Sequence, residues 1–212
     1  RALEVKGYKA DVTAGLSLGE YGALIACGAL SRKDAFALVR KRGIYMQEAV
    51  PEGGAMAAVL ALDTAQIEEA CKKTEGIVSI ANYNCPGQIV ITGEEKAVAA
   101  AGELCKEAGA KRVVPLKVSG PFHSAMLKGA GEKLGEELKH VTVHTPAIPY
   151  VANVTADYVT KEEEIKPLLE KQVSSSVRWQ QTIERLIADG ADKFVEIGPG
   201  RTLTGFMRKI NR

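Results

Sequence analysis

The sequence has few aromatic residues and no large excess of either charge. Among its 212 residues, aromatic side chains make up 5%, tryptophan occurs once, and the formal net charge is +2. No basic tract is interleaved with aromatic residues, so a surface on which nucleic-acid bases stack is not expected. The sequence therefore lacks the usual signs of a nucleic-acid-binding protein, and we expect no nucleic-acid partner.

The sequence also lacks the patterns of metal centres and membrane spans. Its four cysteines are widely spaced, and they form neither a CxxC pair nor a cluster with histidine. No apolar run is long enough to span a bilayer, and no signal peptide is recognisable. We therefore expect no bound metal or cofactor, no membrane association, reduced core cysteines and a cytoplasmic monomer.

The most informative stretch that is present runs from Val12 to Glu20 and reads VTAGLSLGE. A short apolar strand, a turn with Gly-x-Ser-x-Gly and a long apolar helix are typical of a nucleophile elbow centred on Ser17. A side chain at Gly15 or Gly19 is expected to collide with neighbouring backbone. The alternative is that Ser17 is only a helix N-cap that forms a capping box with Glu20.

Two further residues have chemistry that suits a reactive serine. Arg42 lies in the apolar stripe of a helix predicted from Ser31 to about Ala49, where a guanidinium needs an anionic partner. That partner is either a protein carboxylate or the carboxylate of a substrate. His123 lies where a Gly-Pro-Phe loop meets a helix, a setting that suits a general base as well as a structural histidine.

The order of predicted elements indicates two units. Residues 54–118 follow the order βαββαβ, which is typical of a ferredoxin-like unit. Residues 1–53 and 119–212 are predicted to form the larger α/β domain. Its predicted strands include residues 11–14, 150–154 and 193–197, and residues 140–144, with two alternating histidines, are expected to be a solvated strand face.

Taken together, these motifs resemble the malonyl-CoA:acyl carrier protein transacylases and, more broadly, the acyltransferase domains of fatty acid and polyketide synthases. The resemblance covers the whole chain. It rests on GLSLGEY around Ser17, Arg42-Gly43 followed by MQEAVPEG, GPFHS around His123 and EIGPG from Glu196. It implies an α/β-hydrolase-like large domain with a parallel sheet and an inserted ferredoxin-like small domain.

The resemblance implies a role for each residue of the site. Ser17 is expected to be the nucleophile, His123 the base, and Arg42 the partner of the free malonyl carboxylate. The main-chain carbonyl of Gln172 is expected to orient the histidine, and the backbone N–H of Leu18 is expected to be an oxyanion donor.

The residue before the histidine bears on substrate choice. The resemblance implies that the bulk of Phe122 favours malonyl over methylmalonyl groups, because an α-methyl group would collide with the ring. The donor implied is malonyl-CoA, and the acceptor is the phosphopantetheine thiol of acyl carrier protein.

The sequence departs from the family in two places. Leu16 stands where many members have histidine, and we expect this to change the mechanism little. The family also has a segment before the elbow whose glutamine is a second oxyanion donor, and this chain has no counterpart, so we expect an N-terminally incomplete domain. The alternatives are a serine hydrolase or thioesterase and a non-catalytic fragment.

Overall fold

The computed structural model describes residues 2–118 and 120–211. Arg1, Ser119 and Arg212, which the predicted domain bounds include, lie outside the described residues. The protein is a mixed α/β structure with two sheets. None of the helices in the described part of the chain is long and apolar enough to cross a membrane.

The first sheet is built from strands that are far apart in sequence. Its three strands lie in the order β1-β6-β7. Strand β1 pairs with β6 in parallel, whereas β6 pairs with β7 in antiparallel. The predicted parallel sheet is therefore correct for β1 and β6 but wrong for β7, because a tight turn after β6 returns the chain beside it. The strands are β1 (Thr13–Ala14), β6 (Tyr150–Val151) and β7 (Tyr158–Val159).

Helices cover this sheet and contribute most of its core. The helices before the second sheet are α1 (Ala2–Val5), α2 (Gly19–Ala26) and α3 (Arg32–Ala49). Those after it are a 3₁₀ turn (Ala125–Leu127), α6 (Lys128–Lys139), α7 (Glu162–Gln172), α8 (Trp179–Ala188) and α9 (Thr202–Ile210). Fully buried leucines of α2, α3, α6 and α7 meet in one apolar cluster.

Helix α3 places Arg42 as the sequence predicts. Ser31 caps the helix, because its Oγ accepts a hydrogen bond from the Asp34 N–H at 3.1 Å. The buried face includes Leu38, Arg42 and Met46, spaced by four residues. A charged side chain is thereby held on an otherwise apolar face.

The second sheet has four antiparallel strands in the order β3-β4-β2-β5. The middle of the two central strands, β2 and β4, is buried on both faces, and the residues there are mostly apolar. Two helices cover one face, around Ile67 and Ile91. Met56, Ala58 and Val90 line the other face, where Phe122 packs. The elements are β2 (Gly54–Leu60), α4 (Thr64–Lys73), β3 (Val78–Cys85), β4 (Gln88–Glu94), α5 (Glu95–Glu107) and β5 (Arg112–Pro115).

Two predicted strands are not formed. Residues 193–197 alternate as a strand would, but none of the described residues pairs with them, and Ile197 is 79% exposed. The Glu196 carboxylate instead accepts the backbone N–H groups of Leu203 and Thr204 at the start of α9. Residues 140–144 also lack strand pairing, although both histidines are exposed as predicted.

Candidate active site

The Gly-x-Ser-x-Gly turn holds Ser17 in a left-handed backbone conformation with φ of 51°. A non-glycine residue adopts this conformation only when the surrounding structure enforces it. The turn is tight because a Cβ at Gly15 would lie 2.0 Å from the Gly19 carbonyl oxygen. The expected collision at Gly19 is wrong, because a Cβ there meets no atom within 4 Å.

Helix α2 begins beyond the serine, and this excludes the capping-box interpretation. The N-cap residue is Leu18, and no side chain caps the helix by a hydrogen bond. The Glu20 side chain points into the protein and is only 1% exposed. Within the described part of the chain the Leu18 N–H has no acceptor, so it is a free donor beside Ser17 at a helix N-terminus.

Ser17, His123 and Gln172 form a hydrogen-bonded chain. Ser17 Oγ lies 2.8 Å from His123 Nε2, and His123 Nδ1 lies 2.9 Å from the Gln172 carbonyl oxygen. A carbonyl only accepts, so Nδ1 carries the proton and Nε2 accepts the serine hydroxyl. His123 has φ of 63°, so the histidine and the serine are both held in a strained backbone conformation.

The surroundings of His123 favour the neutral imidazole. Burial, together with the nearby charge of Arg42, lowers the pKa of His123 to about 4. The ring is therefore an unprotonated base throughout the neutral range. This state is the one needed to accept a proton from a serine hydroxyl.

Arg42 lies directly over the serine and has only neutral hydrogen-bond partners. Its Nη2 donates to Ser17 Oγ at 3.0 Å and to Gln172 Oε1 at 3.2 Å, while Nε is buried without a partner. Burial lowers the pKa of this guanidinium. Within the described residues no carboxylate forms an ion pair with it, so a buried cation beside the hydroxyl is open to an anionic ligand.

The side chains of Asn153, Gln172 and Glu20 support the elbow, and the sequence reasoning gave Asn153 and Glu20 no role in the site. Asn153 Oδ1 accepts the Ser17 N–H at 2.6 Å, and its Nδ2 donates to the Gly15 carbonyl at 2.6 Å. Gln172 Nε2 donates to the Ser17 carbonyl at 3.0 Å and to Glu20 Oε2 at 2.7 Å. The available signals were a carboxylate in an apolar helix and an asparagine just after a buried strand.

Glu20 supplies the carboxyl group of this network, and its side chain is buried. Its Oε2 also accepts the Asn153 backbone N–H at 3.3 Å, whereas Oε1 has no partner. Burial raises the pKa of Glu20 to about 7, against the opposing effect of its hydrogen bonds and of Arg42.

The structure brings together the residues that the sequence singled out. Ser17, His123, Arg42 and Gln172 are joined by direct hydrogen bonds, and Phe122 is half-buried beside the histidine. A hydroxyl bonded to a neutral imidazole, a free backbone donor and a buried cation suit the formation of an acyl ester from an anionic acyl group.

Comparison with known proteins identifies the family. The acyl transferase domain model matches residues 1–210. A curated relative, the malonyl CoA-acyl carrier protein transacylase of Bacillus subtilis, is 52% identical over 97% of this chain and 66% of its own length. Its counterpart in Escherichia coli is 46% identical over 99% of this chain, which spans 69% of that protein.

A solved structure has the same fold along the whole chain. It is described as a type II PKS acyl-carrier protein in complex with its malonyl-transacylase, and the match has a TM-score of 0.96 with 46% identity. It covers 100% of this chain and 70% of that one. The chain thus belongs to the acyl transferase domain family and, within it, to the malonyl CoA-acyl carrier protein transacylases.

Proposed function

We propose that this chain is the main part of an [acyl-carrier-protein] S-malonyltransferase, which moves a malonyl group from coenzyme A to acyl carrier protein. The observation that carries the proposal is the placement of Arg42. A buried guanidinium lies 3.0 Å from Ser17 Oγ and has only neutral partners. An acyl group with a free carboxylate supplies the missing anion.

The reaction proceeds in two half-reactions through an ester on Ser17. His123 Nε2 takes the hydroxyl proton as Oγ attacks the thioester carbonyl, and the Leu18 N–H stabilises the developing oxyanion. The C–S bond breaks, and the proton passes to the departing thiolate of coenzyme A. The phosphopantetheine thiol then attacks the ester with His123 again as base, and the proton returns to Ser17.

The acceptor is proposed from the relatives. The family members compared above carry acyl carrier protein in their names, and one of them was solved with such a protein bound. We place the reaction in the cytoplasm, in keeping with four free and buried cysteines among the described residues. Malonyl transfer of this kind supplies fatty acid or polyketide synthesis.

A serine hydrolase or thioesterase would use the same serine and histidine. Such an enzyme has no need of a cation beside the nucleophile. Arg42 therefore favours transfer of a malonyl group over hydrolysis of a neutral acyl ester.

We further propose that the fold is an α/β-hydrolase-like domain, residues 1–53 and 119–212, carrying a ferredoxin-like unit at residues 54–118. The antiparallel order β3-β4-β2-β5, with both helices on one face, supports the second unit. The parallel pairing of β1 with β6 beneath the elbow supports the first.

The test is an intact-mass measurement after incubation with malonyl-CoA. We expect a gain of one malonyl group in this chain and none in Ser17→Ala, which lacks the nucleophile. Addition of acyl carrier protein should then remove the group from Ser17. An unchanged mass in both proteins would favour the non-catalytic alternative, and release of malonate without acyl carrier protein would favour a hydrolase.

A further inference from the structure

Gln172 lies at the centre of the site, and all its polar groups are used. Its carbonyl accepts His123 Nδ1, its Oε1 accepts Arg42 Nη2, and its Nε2 donates to both Ser17 and Glu20. A small rotation of this residue therefore moves the base, the cation and the elbow together.

The orientation of the Gln172 amide depends on Glu20. With the amide oxygen directed at Arg42, the NH₂ group faces Glu20 Oε2 at 2.7 Å. A flipped amide would place its oxygen against this carboxyl oxygen and its NH₂ group against the Arg42 guanidinium, and both contacts would be unfavourable. Glu20 Oε2 and the Ser17 carbonyl oxygen thus both select the amide orientation that satisfies Arg42, and Glu20 makes the shorter of the two contacts.

Glu20 Oε2 also binds Asn153, the other residue that supports the elbow. Oε2 accepts the Asn153 N–H, and the Asn153 side chain brackets the turn between Gly15 and Ser17. We infer that Glu20 is a positioning residue of the active site, whose Oε2 fixes Gln172 and Asn153 and through them sets the geometry of Ser17, His123 and Arg42.

Stability alone does not account for a carboxyl at this position. Glu20 Oε1 is buried without a partner, and an unsatisfied buried oxygen costs free energy. An apolar side chain of similar size would avoid that cost but would leave two N–H donors unpaired below the serine. The raised pKa, about 7, is consistent with a group kept for its acceptor oxygen and not for its charge.

The test compares three variants of Glu20 in the full chain by the rate at which a fluorophosphonate labels Ser17. Glu20→Met keeps the size but removes the acceptor, and we expect labelling to slow by about 10- to 100-fold. Glu20→Gln can present an amide oxygen to the same donors, and we expect a rate within about threefold of the unsubstituted chain. Glu20→Asp withdraws the acceptor by one methylene and should slow labelling by about tenfold.

A second readout separates positioning from loss of folded protein. If Arg42 is displaced, acylation by malonyl-CoA should fall by a further tenfold or so relative to acetyl-CoA, which needs no cation. This arm rests on the proposed function, whereas fluorophosphonate labelling does not. A chain that labels normally but never takes malonyl would contradict the proposed function alone.

The control is Ile67→Val, a conservative substitution of a fully buried residue of α4 that belongs to the core of the second sheet and has no contact with the network of Glu20. It lowers stability but should leave the labelling rate of the folded protein unchanged. Circular dichroism gives the folded fraction of each variant. If Glu20→Met is unfolded, the comparison of Glu20→Asp with Glu20→Gln decides; equal rates for the folded variants and the unsubstituted chain would overturn the inference.

Discussion

At the scale of single residues, the proposed role of Arg42 is to select acyl groups that carry a free carboxylate. Arg42→Ala removes the guanidinium that we propose pairs with malonate, so acylation by malonyl-CoA should fall by about 10- to 100-fold. Acetyl-CoA, which lacks the carboxylate, should lose much less. The measurement is the initial rate of ester formation at Ser17 with each donor.

Arg40 provides a matched control for this substitution. It lies two residues away on the exposed side of α3, so Arg40→Ala changes the charge by the same amount without touching the site. We expect both donors to react as before. Unchanged malonyl loading in Arg42→Ala would remove the carboxylate interaction from the mechanism.

The buried Glu20 should leave a signature in the pH dependence of stability. Its pKa is about 7 in the folded protein and 4.5 in its ordinary state, so the folded chain binds this proton more tightly. The stabilisation is fully present below about pH 4.5 and is lost as the pH rises through about 7, and it amounts to roughly 3 kcal/mol. Glu20→Gln cannot titrate, so its free energy of unfolding relative to the unsubstituted chain should increase by that amount between these limits.

Urea unfolding of both proteins on either side of this range measures the effect. Contributions from other groups, including His123, are common to the two proteins and cancel in the difference. Ile67→Val, which removes no titrating group, should shift the free energy of unfolding equally at every pH. Parallel curves for Glu20→Gln and the unsubstituted chain would show that Glu20 titrates as it does in water.

Sequence reasoning found the residues with distinctive chemistry but missed two residues that hold them in place, Glu20 and Asn153. Ser17, Arg42 and His123 stand out because a glycine-flanked turn, a charge on an apolar face and a histidine in a rigid loop are visible locally. Glu20 and Asn153 act through contacts across more than 130 residues of sequence separation. No local pattern reports such contacts, and Glu20 also fitted a capping box that the chain does not form.

At the scale of elements, the elbow depends on one glycine and not on both. Gly15→Ala would place a Cβ 2.0 Å from the Gly19 carbonyl oxygen, so the turn must open. We expect a loss of at least about 2–3 kcal/mol in the free energy of unfolding, as for overpacked cores, together with loss of Ser17 labelling. Chemical denaturation and fluorophosphonate labelling measure the two effects.

Gly19→Ala is the matched control within the same turn. Its Cβ meets nothing within 4 Å, and the residue is the first of helix α2, where alanine is favoured. Stability should stay the same or rise by up to about 1 kcal/mol. Equal destabilisation by the two substitutions would mean that the turn is not packed as described.

Element boundaries were predictable where local signals govern them. The Ser31 cap marks the start of α3, and the elements of the second sheet follow the predicted order βαββαβ. The strand predicted at residues 193–197 is wrong, because a strand requires a neighbouring strand to pair with, and alternating side chains do not supply one. Strand β7 was not predicted, because its two residues pair with β6 only after the chain turns back at residues 152–157.

At the scale of the whole molecule, the second sheet is joined to the site by the loop that carries the histidine. Pro121 packs so closely on the start of β2 that a Cβ at Gly54 would lie 2.3 Å from its ring. The neighbouring Phe122 contacts both the apolar cluster of α2, α3, α6 and α7 and the face of the second sheet opposite α4 and α5. Strand β3 also links the second sheet to the segment before α8, because the Tyr83 N–H donates to the Val177 carbonyl oxygen at 2.9 Å.

Phe122 thus packs between the apolar cluster and the second sheet and directly precedes His123 in the chain, and we propose that its ring limits the space for the acyl group. We expect Phe122→Ala to raise the rate with methylmalonyl-CoA relative to malonyl-CoA, because the space taken by the ring then admits an α-methyl group. A pocket that distinguishes one carbon is worth about 1–3 kcal/mol, so the ratio should change by roughly 10- to 200-fold. Competition between the two donors, followed by mass analysis of the ester on Ser17, measures it.

Met126 offers a control at the other side of the same loop. It is partly buried against the same apolar cluster as Phe122 but is not among the residues that pack against the second sheet, so Met126→Ala removes packing from that cluster alone. Its ratio of methylmalonyl to malonyl ester should match that of the unsubstituted chain. Equal ratios in Phe122→Ala and Met126→Ala would mean that substrate choice is made elsewhere, and that the second sheet supports the loop without shaping the acyl pocket.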